Sequence, residues 1–334
     1  MIRSVERDLH VLKYFSSVIT VSEGRVINAT DPSLRSCPLA RHFYPELKDA
    51  DPENPESLKN AIRGIIESKI RNYGFFTKDR SFHFPKCAVP YGASEMLSVS
   101  LKNHFIETAV VVCDGAGTVI TGSPETVQGI GARMNTLIFT SPIKEIQRKL
   151  KESRCHIVSE KTDWIDQAKG VEKAISLGYR KIGVTVAGFA ARQLEKIRDL
   201  EDKENVDITI LAVCTTGISS DKIEMIRQNA DLVWSCASGE VRGKIGSVAK
   251  LQLSKQIPVF ALTDRGVAFA ASYLNDPSLT RHLDATKQYL LSSEMGGWPV
   301  CSGSSQKYVR ETVLPAEAGK IHQYNSSNNE RVLA

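Results

Sequence analysis

Cys113-Asp114-Gly115-Ala116-Gly117-Thr118 places a thiol, a carboxylate, two glycines and a hydroxyl within six residues, directly after the apolar run Val110–Val112. A thiol is a nucleophile or soft metal ligand, a carboxylate an acid, base or hydrogen-bond acceptor, and glycines let backbone approach a ligand. Cys113 and Asp114 are therefore candidate catalytic residues, with Gly115, Gly117 and Thr118 as candidate ligand contacts. The same residues also spell a hairpin in which Asp-Gly turns the chain and both glycines take positive φ. The two readings are compatible, because a turn at a sheet edge can line a site. The spacing is not G-x-G-x-x-G, so it carries no dinucleotide fingerprint.

Similar endings recur downstream. Cys214-Thr215-Thr216-Gly217, Cys236-Ala237-Ser238 and Thr263-Asp264-Arg265 each close a short apolar run. Hydroxyls and amides at a helix N-terminus can hold an anion, and they can equally cap the helix. Thr215, Thr216, Gly217, Ser238, Thr263, Asp264 and Arg265 are accordingly candidate contacts for an anionic small molecule, provided their strands are neighbours. Arg133, Arg242 and Arg265 are candidate sources of positive charge.

The seven cysteines include no C-x-x-C pair. Convergence of Cys37, Cys113 and Cys236 would suit zinc or an iron–sulfur cluster, whereas dispersed cysteines are ordinary buried hydrophobes. Cys236 is also a candidate nucleophile, and Cys214 shares its place before a helix, where the helix dipole favours a thiolate. None of the possible bases His10, His42, His83 and His104 has a spacing that singles it out. Cys87, Cys155 and Cys301 read as structural.

Positioning these groups falls to an alternation of short apolar strands with helical patterns. Helix starts at Ser123-Pro124-Glu125 and Ser141-Pro142, and five strand–helix units from residue 155 onward, predict parallel βαβ units. The expected fold is α/β: a mostly parallel, Rossmann-like sheet with helices on both faces, plus a smaller N-terminal β/α portion. The expected divisions are 1–105 (β-structure, a helix over Glu56–Tyr73 and an aromatic loop), 106–277 (the parallel sheet) and 278–334 (an extension whose last 10–15 residues are disordered).

The 334 residues carry 42% hydrophobic and 24% charged side chains and a net charge of +5, ordinary values for a globular protein. The charges are scattered without a basic run, so nothing supports nucleic-acid binding. No apolar run is long enough to span a membrane, and the charged first ten residues are not a signal, so a cytoplasmic protein with reduced thiols is expected.

Several motifs together resemble one known family. Cys37-Pro38-Leu39, Gly92-Ala93-Ser94-Glu95, Cys113–Thr118, Pro124-Glu125, Val127-Gln128-Gly129-Ile130-Gly131, Cys214–Ser219, Cys236-Ala237-Ser238 and Thr263–Gly266 are similar, in this order, to the methanogenesis marker protein 8 family. The resemblance runs from about residue 35 to 268. It implies an archaeal protein associated with methyl-coenzyme M reductase, its nickel cofactor or its maturation, with no assigned reaction. An assembly or activation factor, an enzyme on an anionic small molecule and a thiolate metal protein all fit that context.

Overall fold

The computed structural model describes residues 8–35, 44–83, 90–161, 165–302 and 305–316. The three short apolar pieces at the start form the meander β1 (His10–Tyr14), β2 (Ser17–Ser22) and β3 (Arg25–Ala29). Helix α1 (Pro55–Tyr73) follows, capped by the Asn54 side chain, which accepts from Glu56 N and Ser57 N, and stopped by Gly74 at φ +68°. Its stripe Leu58, Ile62, Ile65 and Ile66 packs on the meander through Leu12, Ile19 and Val21. This is the amphipathic spacing doing what it predicts.

The chain then runs through α2 (Ala93–Lys102), β4 (Thr108–Cys113), β5 (Gly117–Thr121), α3 (Pro124–Gly131), β6 (Thr136–Thr140), α4 (Lys144–Glu152) and β7 (His156–Ile157). Next come α5 (Gln167–Ser176), β8 (Lys181–Ala187), α6 (Gln193–Glu204), β9 (Asp207–Val213), α7 (Ser220–Asn229), β10 (Leu232–Trp234) and α8 (Gly239–Gly246). It finishes with β11 (Leu251–Leu253), β12 (Val259–Ala261), α9 (Asp264–Leu274), α10 (Leu279–His282), β13 (Tyr289–Ser292), β14 (Trp298–Ser302) and β15 (Ser305–Glu311).

Two sheets result. One has the order β3-β2-β1-β6, so a strand from the middle of the chain completes the N-terminal meander. The other has eleven strands in the order β14-β15-β13-β11-β12-β10-β9-β8-β4-β5-β7. Central strands are buried on both faces, with successive residues belonging to opposite cores. Val110, Ile210 and Val233 face α5 to α8, and Val111, Leu211 and Leu232 face α2, α3 and α9.

The expectation of a mostly parallel, Rossmann-like sheet is wrong. Among the described residues, parallel pairing is confined to β4/β8, β8/β9, β9/β10 and β11/β13. All other pairings in both sheets are antiparallel. The physical reason lies in the connections. Parallel neighbours need a crossover, whereas a tight turn returns the chain beside itself. The turn after Cys113 folds β5 back on β4, and the Ser254–Pro258 turn folds β12 back on β11. The spacing over about 240–253 reads as one helix and hides β11 at its end. The sheet also continues past residue 278 through β13 to β15, while the tail expected to be disordered lies outside the described residues. No helix among the described residues is long and apolar enough to cross a membrane.

A buried ion pair lies at the join between the two sheets. Asp114, in the β4–β5 turn, accepts from Phe76 N at 2.8 Å and from Arg80 Nε at 3.0 Å, and both charged side chains are fully buried. The Arg80 guanidinium also donates to the carbonyls of Gly129 and Ile130 near the end of α3, at 3.1 and 3.3 Å, and to Ser81 O. It stacks on Phe75, 3.7 Å from the ring centre. Removing one partner of such a pair strands the other charge in the interior. Asp114→Ala is expected to lose about 3–5 kcal/mol of folding stability, read as a fall in the urea midpoint. A loss below about 1 kcal/mol would remove the pair from this role.

Candidate functional site

Strands β4, β8, β9 and β10 run in one direction, so their carboxyl ends share one edge of the large sheet. Open α/β sheets place ligands at such edges. A cavity of about 550 Å³ lies there. All four strands supply wall residues, among them Val111, Thr185, Val213 and Trp234, and Tyr14 of β1 and Leu137 of β6 bring the small sheet to the same space.

Two thiols line it, Cys214 just beyond β9 and Cys236 just beyond β10. Parallel pairing of Ala212 with Val233 puts these two strand ends side by side. The Thr215 hydroxyl donates to Trp234 O at 2.6 Å and Ala237 N donates to Thr216 Oγ1 at 3.3 Å, tying the loops together. Both cysteines hold left-handed backbone, with φ of +56° and +48°. Each keeps some exposure, on the cavity side it lines. Burial pushes the Cys214 thiol up to about 12, with the neighbouring Cys236 adding to the rise. Burial also raises Cys236, opposed by the N–H groups of Thr215 and Cys214 and by the positive charge of Arg242. Cys236 therefore has the more anion-stabilising surroundings of the two.

The rest of the wall is apolar and aromatic with a few polar groups. Trp234 Nε1 donates to the Tyr91 backbone carbonyl at 2.8 Å, which fixes the indole. Glu95 accepts from the Tyr273 hydroxyl at 3.0 Å. Burial and the charge of Glu95 raise the Tyr91 phenol to about 12. Gln128, 9% exposed, lines the cavity with an Oε1 that has no hydrogen-bond partner among the described residues. Arg133 also lines it, with its guanidinium 5.2 Å from the centre of the Tyr73 ring. Behind it, buried Lys69 donates to Arg133 O at 2.7 Å and to Asn135 Oδ1, with its amine over the rings of Tyr14 and Tyr44. Burial, reinforced by the Arg133 charge, lowers Lys69 to about 7.

The structure distributes the expected site residues among three places. Cys236 lines the cavity, and so do Cys214 and Arg133. Cys113 and Asp114 lie in the ionic join; burial and Asp114 raise the Cys113 thiol well above its ordinary value. Gly115 N donates to Thr140 Oγ1 at 2.7 Å, Gly117 pairs with Cys113 to close the hairpin, and the Thr118 hydroxyl donates to Gln167 Oε1 at 2.8 Å. Thr215 and Thr216 stitch the strand ends, Gly217 turns the chain at φ +69°, and Ser238 caps α8 by accepting from Val241 N at 3.2 Å. Buried Arg242 donates to the carbonyls of Cys236 and Gln256.

Thr263, Asp264 and Arg265 are at the opposite edge. β12 runs antiparallel to β10, so the loop after it emerges where β9 begins. There Thr263 donates to Asp231 Oδ1 at 2.6 Å, Arg265 pairs with Glu201 and Asp207, and Asp264 pairs with Lys250. Cys37 and His42 lie outside the described residues. Among the described residues no group of three His, Cys, Asp or Glu side chains is placed to hold a metal ion. His10 is committed to Thr140 Oγ1 at 2.7 Å.

Glu95, Gln128, Tyr91 and Lys69 are the groups that sequence reasoning missed. Glu95 and Gln128 sit inside two of the motifs quoted for the family resemblance, and a glutamine flanked by valine and glycines is a signal of a buried polar group.

Residues 10–274 match the family model described as an uncharacterized protein conserved in archaea (DUF2099). The chain belongs to this archaeal family. An uncharacterized protein of Methanocaldococcus jannaschii is 40% identical over 263 residues, which cover 78% of this chain and 88% of that protein. Every residue that lines the cavity falls within the span matched by the DUF2099 model.

Two measurements check the electrostatics of this DUF2099 site. Between about 7 and the ordinary 10.5, the unfolded chain holds a proton on Lys69 that the folded chain lacks. This group's contribution to stability therefore rises as pH climbs through that window, and its burial penalty is fully present below it. Subtracting the stability–pH curve of Lys69→Met from that of the wild type should isolate this rise; a flat difference would refute it. Both cavity thiols should alkylate far more slowly at pH 7 than a free cysteine, accelerate as pH increases, and react in the order Cys236 before Cys214. Mass mapping of iodoacetamide-quenched samples reads this, and rapid labelling at pH 7 would contradict it.

Proposed function

We propose that this protein is an accessory factor of archaeal methanogenesis that works by holding a small molecule in the strand-end cavity. The observation that carries the reading is the cavity itself. It is walled by the carboxyl ends of four parallel strands and by Glu95, Gln128, Cys214 and Cys236, all from motifs of the marker-family resemblance. Its volume is in the range of small-molecule sites, about 300–1,000 Å³, and its apolar wall with a few polar groups has their usual composition. Arg133 suits an anionic substituent on the ligand. The Cys236 thiol, facing the N–H groups of Cys214 and Thr215, is the group best supported for chemistry on it. Membership of an archaeal family supports the setting; the link to methyl-coenzyme M reductase rests on the motif resemblance.

The test has two arms. Purified protein equilibrated with the low-molecular-weight extract of a methane-producing archaeon should retain a compound identifiable by mass spectrometry. Ala187→Trp, which fills the cavity from the end of β8, should lose it while keeping the wild-type circular dichroism spectrum. Equal retention by both proteins would sink the cavity reading. In cells, deletion of the gene should lower the specific activity of methyl-coenzyme M reductase at unchanged subunit levels. Unaltered specific activity would sink the methanogenesis link.

A further inference from the structure

The strand-end cavity holds two free thiols on one wall, and hydrogen bonds bracket them in the chain. Ala212 pairs with Val233 before them, and Ala237 N donates to Thr216 Oγ1 beyond them. Between these ties Cys214 and Cys236 stand one residue out of register on neighbouring strand ends. Neighbouring strands run about 4.8 Å apart, and a disulfide spans Cα separations of about 4.4–6.8 Å. The N–H groups of Cys214 and Thr215 face the Cys236 sulfur, which sets that sulfur against the backbone of Cys214 itself. The Thr136 hydroxyl bonds to the Cys214 sulfur, and Lys13 brings positive charge to it. Either sulfur thus meets donors or charge that favour its anion. Zinc and iron–sulfur clusters take three or four protein ligands, and among the described residues no third His, Cys, Asp or Glu joins these two. Two adjacent thiols without a third ligand are suited to forming a bond with each other.

We propose that Cys214 and Cys236 are a redox pair that exchanges with a low-molecular-weight disulfide admitted to the cavity. The sulfurs open into a space of about 550 Å³, which takes a small disulfide and not the disulfide of a folded protein. Cys236, as thiolate, attacks one sulfur of the small disulfide. The S–S bond breaks, a mixed disulfide forms on Cys236, and the departing thiolate takes up the proton that Cys236 gave to solvent. Cys214, as thiolate, then attacks the Cys236 sulfur. The Cys214–Cys236 bond forms, and the second small thiolate leaves and takes up the proton lost by Cys214. The two cysteines are oxidised by two electrons, and the small disulfide is reduced to two thiols. This deepens the cavity reading proposed above, on which it rests for the reagent's route of entry, by naming the chemical class that enters.

The probe is 2-hydroxyethyl disulfide, added to the reduced full chain at about pH 8.5, the ordinary thiol value. Peptide mapping after an acid quench should show a Cys214–Cys236 link in the wild type that dithiothreitol reverses. Cys214→Ser should stop at a mixed disulfide on Cys236 that carries one half of the probe. In Cys236→Ser, Cys214 should take up the probe at least about tenfold more slowly than Cys236 does in Cys214→Ser. Ala187→Trp, which obstructs entry, should slow formation of the link by about tenfold or more. A wild type that holds the mixed disulfide on Cys236 without closing the link overturns the inference. So does a link that joins other cysteines instead, or one that forms equally fast in Ala187→Trp. The link is read with this probe alone, so its outcome is separate from that of the extract experiment. A compound that Ala187→Trp loses, together with no link, sinks the redox pair and keeps the cavity reading. Equal retention of the compound, together with a link that Ala187→Trp slows, sinks the extract-ligand reading and keeps the redox pair.

Discussion

The buried ion pair between Asp114 and Arg80 is the constraint on which the rest of the structure depends. Asp114 belongs to the turn that reverses β4 into β5, and Arg80 to the aromatic segment after α1. One carboxylate thereby receives a side chain and a backbone N–H from the N-terminal portion, while the same guanidinium reaches the carbonyls near the end of α3. Three elements distant in sequence are fixed by groups that have no access to water. The pair does not make the structure stable by attraction alone, because desolvating two charges offsets most of that. It specifies one arrangement, since any displacement of the N-terminal portion would leave a charge buried without its partner. That arrangement sets the small sheet against the edge where the cavity lies.

Strand direction then decides what can meet at that edge. Four neighbouring parallel strands deliver their carboxyl ends together, and the two thiols arrive with them. Reversal at β12 sends Thr263, Asp264 and Arg265 to the other edge, into ion pairs with Glu201, Asp207 and Lys250. A loop of similar composition thus performs opposite services according to the direction of the strand before it. At one edge it lines a cavity, and at the other it caps a helix and neutralises charge.

This is also where the sequence ceased to be legible. Short apolar runs and capping residues are local signals, and α1, α3 and the central strands follow from them directly. Direction is not local. It depends on whether the connection is a crossover or a turn, and β11 hides behind α8 in a segment whose spacing reads as continuous helix. Missing that one strand makes β12 parallel by default and gathers three loops where only two meet. Asp114 misled for a related reason: a carboxylate between a thiol and a glycine reads as exposed and reactive until its partner is known, and Arg80 lies 34 residues away with nothing in its spacing to announce the pairing. Glu95 and Gln128 were hidden because their value lies in convergence from separate helices.

Cys214 and Cys236 present the opposite case, in which local backbone carries the argument. Each ends a strand in left-handed conformation, where a Cβ is unfavourable by about 1 kcal/mol and glycine would fit without strain. Gly217, three residues after Cys214, shows that the chain uses glycine in this same loop when only the turn is needed. Holding a side chain at both strand ends despite that strain places two sulfur atoms on one cavity wall, with the N–H groups of Cys214 and Thr215 directed at Cys236. Strain of this kind persists where surrounding structure over-determines it, and here the stitching of Thr215 to Trp234 and of Ala237 to Thr216 does so. The thiols are therefore positioned by the fold itself, and burial raises both above the ordinary thiol value.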